Sequence, residues 1–290
     1  MALGASESMS RRDNRAAELR AEKLAPQFEA LKGLAEPKRS PGAGDWLAEH
    51  SEPGQSVAEY LREQRRDPAL RAIYLLPLGD FSASERATIE LTTKYLEIFF
   101  ADAPVRLLPA LALTRIPDEA RRRNPFGGQE QILTGYVLER VLRPRRPADA
   151  LALVALTAVD LYPDPSWNFV FGQASIGQRV GVWSLWRNGE PGTTEYLRRT
   201  IQTAAHETLH LLGVAHCIAW ECLMNGSNHQ AEKDRRPLSL CRSDLAKLCE
   251  VLGCRPAERD CALGRFCAEH GLAADARSFE KETRLLEASR

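Results

Sequence analysis

The pattern of apolar and polar positions divides the chain at about residue 67. Before that point the sequence is charged and interrupted by Pro and Gly, with one helical pattern near Arg15–Leu34. Trp46 and Leu47 are the apolar residues expected to tether this part to the main body. The pattern predicts a partly flexible N-terminal arm over residues 1–67.

Beyond residue 67, apolar periods typical of strands alternate with helical ones. Strands are predicted at Ala72–Leu78 and Val105–Leu113, and helices at Ser84–Phe100 and Gln129–Val141. The run Leu151–Val159 is almost purely apolar, as expected for a strand covered on both faces. We therefore expect an α/β fold with this run at the centre of the sheet.

Two more strands and a long helix follow. The strands are predicted at Trp167–Phe171 and Val180–Trp186, and the second is expected to form a sheet edge. A helix is predicted at Thr194–Leu212, with Thr193 or Thr194 as its N-cap. Gly213 is suited to end that helix, because glycine readily adopts the left-handed conformation.

Composition narrows the class of protein. Lys plus Arg and Asp plus Glu both total 39 in 290 residues, so no net charge favours nucleic acid or an anionic membrane as a partner. The first residues contain no apolar core of a signal peptide, and no apolar run approaches the about 20 residues of a membrane span. We expect a cytoplasmic protein whose oligomeric state the sequence leaves open.

All seven cysteines follow residue 216. An odd number of cysteines without a secretion signal argues against a disulfide framework. It favours thiolates that bind metal or stay free.

The segment HETLHLLGVAH carries the candidate chemistry. His206 and His210 are four residues apart in a helical pattern, so both imidazoles lie on one face and can share a metal ion. Glu207 follows His206 directly, so it is expected to lie near the metal-bound water without binding the metal. There it can accept a proton from water and return it to a leaving group. The turn at Gly213 allows His216 to become the third ligand.

Three protein ligands leave one coordination position open, which is typical of catalytic rather than structural zinc. A short HExxH pattern on its own can arise by chance on a helix surface. The longer pattern here, followed by Met224 in CLMNGS, makes that alternative much weaker, because a methionine in a tight turn beneath three histidines marks the metzincin peptidases.

With HETLHLLGVAHCIAWECLMNGSNH in view, the chain resembles the archaemetzincins over roughly residues 41–255. The segment from Asp160 to Arg187 and the arm segment GDWLAEHSEPGQS are also similar to members of this family. The resemblance implies a metzincin-like twisted mixed sheet with backing and active-site helices, and a small zinc-stabilised C-terminal helical subdomain. It also implies a second, structural zinc held by four cysteines, of which Cys217 and Cys222 match the first two.

The fourth structural ligand departs from the family pattern. Cys241 matches the third cysteine, but Asp244 stands where the family has the fourth. A carboxylate can bind zinc, so a site of three cysteines and Asp244 is favoured. Cys249 is the competing ligand, although eight helical residues would place it about 12 Å from Cys241. A third alternative is that the site is empty and the cysteines are buried thiols.

The remaining cysteines and histidines are expected to have structural roles. Cys249, Cys254, Cys261 and Cys267 are expected to be small buried residues, with a metal or redox pair left open. His50 and His229 are expected to be solvated or capping residues.

The predicted organisation is a catalytic domain over residues 68–255 and a helical tail over 256–290. The catalytic domain is divided into an upper subdomain, 68–213, and a lower zinc-binding subdomain, 214–255. The predicted function is that of a zinc metallopeptidase in which a zinc-activated water attacks a peptide or protein substrate and Glu207 handles the proton. The alternatives are a zinc-binding interaction protein and a zinc hydrolase of non-peptide amides or esters.

The substrate is expected to extend along the predicted edge strand. The family's layout implies that the upper rim of the cleft comprises Gly181, Val182, Trp183 and Ser184. Trp167, Asn168 and Phe169 are expected to support it. Asn225 follows the methionine where some metzincins have a tyrosine, so no oxyanion stabiliser is assigned.

Overall fold

The computed structural model describes residues 26–63, 67, 69–101 and 103–289. The predicted helical pattern near Arg15–Leu34 falls largely outside the described residues, although 26–30 are helical. The strands are β1 (Ala72–Leu78), β2 (Val105–Leu107), β3 (Arg121–Arg123), β4 (Glu130–Leu133), β5 (Ala150–Thr157), β6 (Asp160–Tyr162), β7 (Gly172–Ser175) and β8 (Val180–Ser184). The helices are α1 (Trp46–Glu49), α2 (Val57–Glu63), α3 (Ala83–Phe99), α4 (Thr134–Tyr136, continued by π-helical Val137–Leu142), α5 (Thr194–Leu211), α6 (Gln230–Arg235), α7 (Arg242–Leu252), α8 (Pro256–Glu269) and α9 (Ala273–Ala288).

The main sheet has the order β2-β1-β5-β8-β7, with all neighbours parallel except the antiparallel pair β7 and β8. The apolar strand β5 is therefore central, as the sequence predicts. Val154 and Leu156 contribute to the core beneath α3 and α5, whereas Leu153 and Ala155 contribute to the core on the opposite face. A second sheet has the order β3-β4-β6. The mixed α/β fold class is thus confirmed.

Three predicted elements differ from the structure. The helix predicted at Gln129–Val141 begins with strand β4, because Gln131–Leu133 pair with β6. The strand predicted at Trp167–Phe171 is replaced by β7 a few residues later. Val105–Leu113 pairs regularly only as far as Leu107, and Pro109, which has no N–H to donate, follows.

The edge predicted at Val180–Trp186 is wrong. Strand β8 pairs with β5 on one side and β7 on the other, so its backbone groups are already engaged within the sheet. The sheet ends at β7 instead, because the loop 176–179 reverses the chain and allows Gly172–Ser175 to pair outside β8.

The C-terminal helix α8 packs against α3, and the last helix, α9, packs against α8. The ring of Phe266 on α8 meets Tyr95 of α3 edge to face, with 5.4 Å between centroids.

Among the described residues, no helix is long and apolar enough to cross a membrane.

Candidate metal centres and active site

Helix α5 places the candidate catalytic residues. Its N-terminus is capped by Thr193, whose side chain accepts a hydrogen bond from the backbone N–H of Tyr196. The helix ends at Leu211, and Gly213 has a φ of 87°, in the left-handed region that favours glycine. The N–H of Gly213 then bonds to the carbonyl of His210, and the chain turns back toward the helix as predicted.

The turn brings His216 to the two helical histidines. The Nε2 atoms of His206 and His210 are 3.0 Å apart, and the three imidazoles each offer a nitrogen within 4.8 Å of the others. Ligand nitrogens around a tetrahedral zinc are separated by about 3.3 Å when each Zn–N distance is about 2 Å. The donor set and its spacing therefore fit one zinc ion.

The Nδ1 atoms of all three histidines are engaged elsewhere. Nδ1 of His206 is 2.9 Å from the carbonyl of Leu223, and Nδ1 of His210 is 2.7 Å from the carbonyl of Val214. A carbonyl can only accept, so these two Nδ1 atoms donate to it and the Nε2 atoms of His206 and His210 keep their lone pairs for a metal. Nη1 of Arg236 lies farther from Nδ1 of His206, at 3.2 Å, and donates to the carbonyl of Asn225.

The third imidazole has a different partner. Nδ1 of His216 lies 2.8 Å from Oε1 of Glu52, a residue of the N-terminal arm. Burial alone would raise the pKa of Glu52, but the hydrogen bond and charge of His216 lower it overall. Sequence reasoning missed Glu52, although the arm segment GDWLAEHSEPGQS that contains it resembles that of the family.

Burial keeps the helical imidazoles neutral. It lowers the pKa of His206 well below its ordinary value, and it lowers that of His210 to about 3, with neighbouring histidines adding to both shifts. A neutral imidazole is the form that binds a metal. The two helical imidazoles are therefore in the form that a metal ion requires.

Glu207 lies on α5 between the two helical ligands and is half-buried. Burial raises the pKa of this carboxyl, and the nearby His216 and Arg236 oppose the rise. The buried Lys233 opposes it as well; its Nζ donates to Asn188 and lies 4.6 Å from the ring centroid of Phe171.

Met224 and Asn225 form the turn beneath the histidines. The carbonyl of Met224 accepts from the N–H of Cys217, and the Met224 side chain is fully buried. The Asn225 amide donates to the carbonyls of Cys217 and Trp220 and accepts from the N–H of Cys222. Asn225 therefore holds the loop together, and its side chain is not available to a substrate.

A second candidate metal centre lies beside the first. Cys217, Cys222, Cys241 and Asp244 offer ligand atoms within 4.8 Å of one another. Oδ2 of Asp244 is 3.2 Å from Sγ of Cys222 and 3.5 Å from Sγ of Cys241. The four residues expected to bind the structural zinc are thus brought together.

The other carboxylate oxygen of Asp244 faces a buried lysine. Nζ of Lys247 lies 2.8 Å from Oδ1 of Asp244 and donates to the backbone carbonyl of Gln55 at 2.7 Å. Burial raises the pKa of Asp244, and Lys247 opposes that rise. The ion pair directs Oδ2 toward the cysteines.

The remaining cysteines are not part of that cluster. Cys249 and Cys254 form a disulfide across the end of α7, where Gly253 adopts a left-handed φ of 79°. Cys249 is therefore removed as a competitor for the fourth ligand. Cys267 is buried and Cys261 half-buried, both as free thiols.

His229 caps α6, as the sequence predicts, by accepting from the N–H of Glu232. Its Nε2 is 3.1 Å from Asp45, and Glu232 accepts from the N–H of Trp46. The side chains of Asp45, His229 and Glu232 lie close enough to hold an ion, but the hydrogen bonds among them and to the arm already explain why they are close together. His50 stacks on Trp46, with ring centroids 4.1 Å apart.

The residues predicted as the substrate rim lie within the sheet. All four residues, Gly181, Val182, Trp183 and Ser184, are buried. Trp183 belongs to the core beneath α3 and α5, and Val182 to the core on the opposite face of the sheet. Next to the edge strand β7, a depression of about 300 Å³ is lined by Phe169, Phe171, Trp186, Arg187, His229 and Gln230. Phe169 thus lines a surface rather than only supporting one, whereas Asn168 bonds to Asn124 and Trp167 is half-exposed.

Known proteins resemble the chain over most of its length. A model of peptidase family M54 matches residues 147–250. Archaemetzincin-2 of Rattus norvegicus is 32% identical, over 84% of this chain and 79% of that protein, and archaemetzincin-2 of Homo sapiens is 31% identical, over 82% and 76%. The crystal structure of archaemetzincin from Methanopyrus kandleri has a TM-score of 0.53 at 24% identity and covers 64% of this chain and 98% of that one.

Proposed function

Because the chain belongs to the archaemetzincin family and is therefore a zinc-dependent metallopeptidase, we propose that His206, His210 and His216 hold its catalytic zinc. The observation that carries this proposal is the convergence of three imidazoles. In each of them Nδ1 is hydrogen-bonded to another group, so Nε2 is left for a metal. Three protein ligands leave a coordination position for the reacting groups.

Zinc held by these three histidines would act as a Lewis acid for the scissile carbonyl and would lower the pKa of a bound water. Glu207 accepts the proton of the attacking water and transfers it to the leaving amine. Its half-buried position and its raised pKa suit both steps, because the carboxylate then holds the proton more readily than an exposed one. The neutral helical imidazoles add no positive charge of their own to the site.

We further propose a second, structural zinc bound by Cys217, Cys222, Cys241 and Asp244. The short separations between Asp244 and the thiols support this assignment, as does Lys247, which fixes the other carboxylate oxygen. Cys217 directly follows His216, so the two metals would stabilise one loop.

The peptide substrate is proposed to add as a strand to β7. The outer edge of β7 lies at the end of the sheet, and peptides commonly bind by pairing with such an edge. The aromatic depression that includes Phe171 adjoins the start of this strand and suits a large apolar side chain.

Cleavage of a peptide library by wild-type protein and Glu207→Gln tests the proposal, together with the zinc content of each. We expect Glu207→Gln to retain its zinc and lose at least about 100-fold in kcat/KM. Glu195→Gln, on an exposed turn of the same helix, serves as the matched control and should cleave normally. Equal cleavage by wild type and Glu207→Gln would disprove the role of Glu207.

A further inference from the structure

The three candidate zinc ligands have unequal supports. His206 and His210 donate to backbone carbonyls of their own neighbourhood, at Leu223 and Val214. His216 instead meets a side chain 164 positions away in sequence, the Glu52 carboxylate. Of the three, it is the one whose Nδ1 faces a carboxylate, whereas Nδ1 of His206 also lies 3.2 Å from the Arg236 guanidinium.

A carboxylate does more for a ligand than a neutral carbonyl. Three neutral imidazoles leave the full double charge of zinc uncompensated. A carboxylate bonded to Nδ1 of one imidazole makes the other nitrogen of that ring a stronger ligand for the metal. Both oxygens of Glu52 lie near Nδ1 of His216, at 2.8 and 3.1 Å. The imidazole is thereby fixed in both tautomer and orientation.

The arm is held against the same loop by several further contacts. The Gln55 side chain donates to the carbonyl of Gly213 and accepts from the N–H of Ala215. The hydroxyl of Tyr60 donates to the carbonyl of Leu212. Glu52, Gln55 and Tyr60 therefore all bond to the segment that carries His216.

The aromatic packing continues this attachment. The ring of Trp46 meets that of His216 nearly edge to face, with centroids 5.2 Å apart. Lys247 reaches from the second candidate metal centre to the carbonyl of Gln55. The arm therefore contacts both candidate metal centres, although none of its described residues is a candidate ligand of either.

We propose that Glu52 is a positioning residue of the catalytic metal centre, which orients His216 and tightens zinc binding. Trp46, Gln55 and Tyr60 hold the arm against the loop that carries His216. This proposal rests on the assignment of His216 as a zinc ligand. It adds a role for the N-terminal arm, which would set how firmly the enzyme keeps its metal.

Competition with a zinc chelator tests the proposal. Full-length wild type, Glu52→Ala and Glu52→Gln are compared with the matched control Glu49→Ala, which removes an arm carboxylate that contacts Asn228 and not a histidine. We expect Glu52→Ala to bind the catalytic zinc about 10- to 100-fold more weakly than Glu49→Ala. Glu52→Gln should fall between, because an amide oxygen still accepts from Nδ1 but carries no charge.

Two further measurements separate positioning from simple stability. The absorption spectrum of the cobalt-substituted protein should change with Glu52→Gln, whereas thermal unfolding of the metal-free protein should not. His216→Ala identifies which zinc belongs to the histidine centre. If His216→Ala keeps all its zinc, the proposed catalytic centre itself is wrong, and the role of Glu52 falls with it.

If His216→Ala loses zinc while Glu52→Ala binds it within about 2-fold of Glu49→Ala, only the role of the arm is overturned. Should Glu52→Ala not fold, Glu52→Gln decides the question. A wild-type affinity and cobalt spectrum in Glu52→Gln would overturn the proposal.

Discussion

The indole ring of Trp46 lies directly against the backbone of Gly226, so that a Cβ atom at position 226 would come within 2.6 Å of Cγ of the indole. Real side chains do not approach so closely. Glycine at position 226 is therefore what allows the arm to dock beside the loop that follows Met224.

Gly226→Ala should displace Trp46 and loosen the arm. We expect the free energy of unfolding to fall by about 1–3 kcal/mol, which is the usual cost of overpacking a closed contact. Denaturant unfolding measures this change. Gly33→Ala, where an added Cβ meets nothing within 4 Å, is the control and should alter stability by less than about 1 kcal/mol. Equal effects of the two substitutions would contradict the docking role of Trp46.

Asp244→Cys should strengthen the second zinc site. A fourth thiolate is a softer ligand than a carboxylate, so the variant should release this zinc more slowly to a chelator than wild type does. Asp244→Ala should lose one zinc. It would also leave the buried Lys247 without its carboxylate, so Asp244→Ala combined with Lys247→Met separates metal loss from the cost of an unpaired cation. An unchanged zinc content in both alanine variants would show that Asp244 is not a ligand.

Asn225→Ala should destabilise the loop under the histidines. Its buried amide satisfies two carbonyls and one N–H, and unsatisfied buried groups cost about 1–3 kcal/mol each. We expect a loss of about 3 kcal/mol in denaturant unfolding. Asn228→Ala, which removes more exposed contacts to the arm, should cost less than about 1 kcal/mol. The reverse order would be inconsistent with this account of the turn.

The metal-free protein should lose stability in mild acid. The pKa of His210 falls from 6.5 to about 3 on folding, so its contribution to stability is complete above pH 6.5. The unfolded chain takes up the proton first, and that contribution therefore declines as the pH drops from 6.5 toward 3. His210→Gln lacks this group and should lose about 2 kcal/mol less than wild type between about pH 7.5 and pH 5. Parallel pH profiles of the two proteins would argue against it.

Local sequence patterns predicted the elements that depend on local chemistry. The spacing of His206 and His210 and the left-handed Gly213 both follow from helical geometry, and the structure contains both. The buried strand β5 was likewise predictable, because a parallel strand covered on both faces is almost wholly apolar.

Features that depend on distant pairing were not predictable in this way. Whether Val180–Ser184 forms an edge depends on where Gly172–Ser175 pairs, and both segments have short, weak strand patterns. The disulfide between Cys249 and Cys254 depends on the exact end of α7. Glu52 carries no local signal of its contact with His216, because the two residues meet only in the folded chain.

The separation between Glu52 and His216 also has a consequence in time. A ribosome adds roughly 5–20 residues per second, so the arm emerges on the order of 10 s before the histidine that it supports. During that interval neither the loop nor the metal centre exists. The nascent chain can therefore assemble this centre only late in synthesis, when the loop that carries His216 has emerged and the waiting arm can meet it.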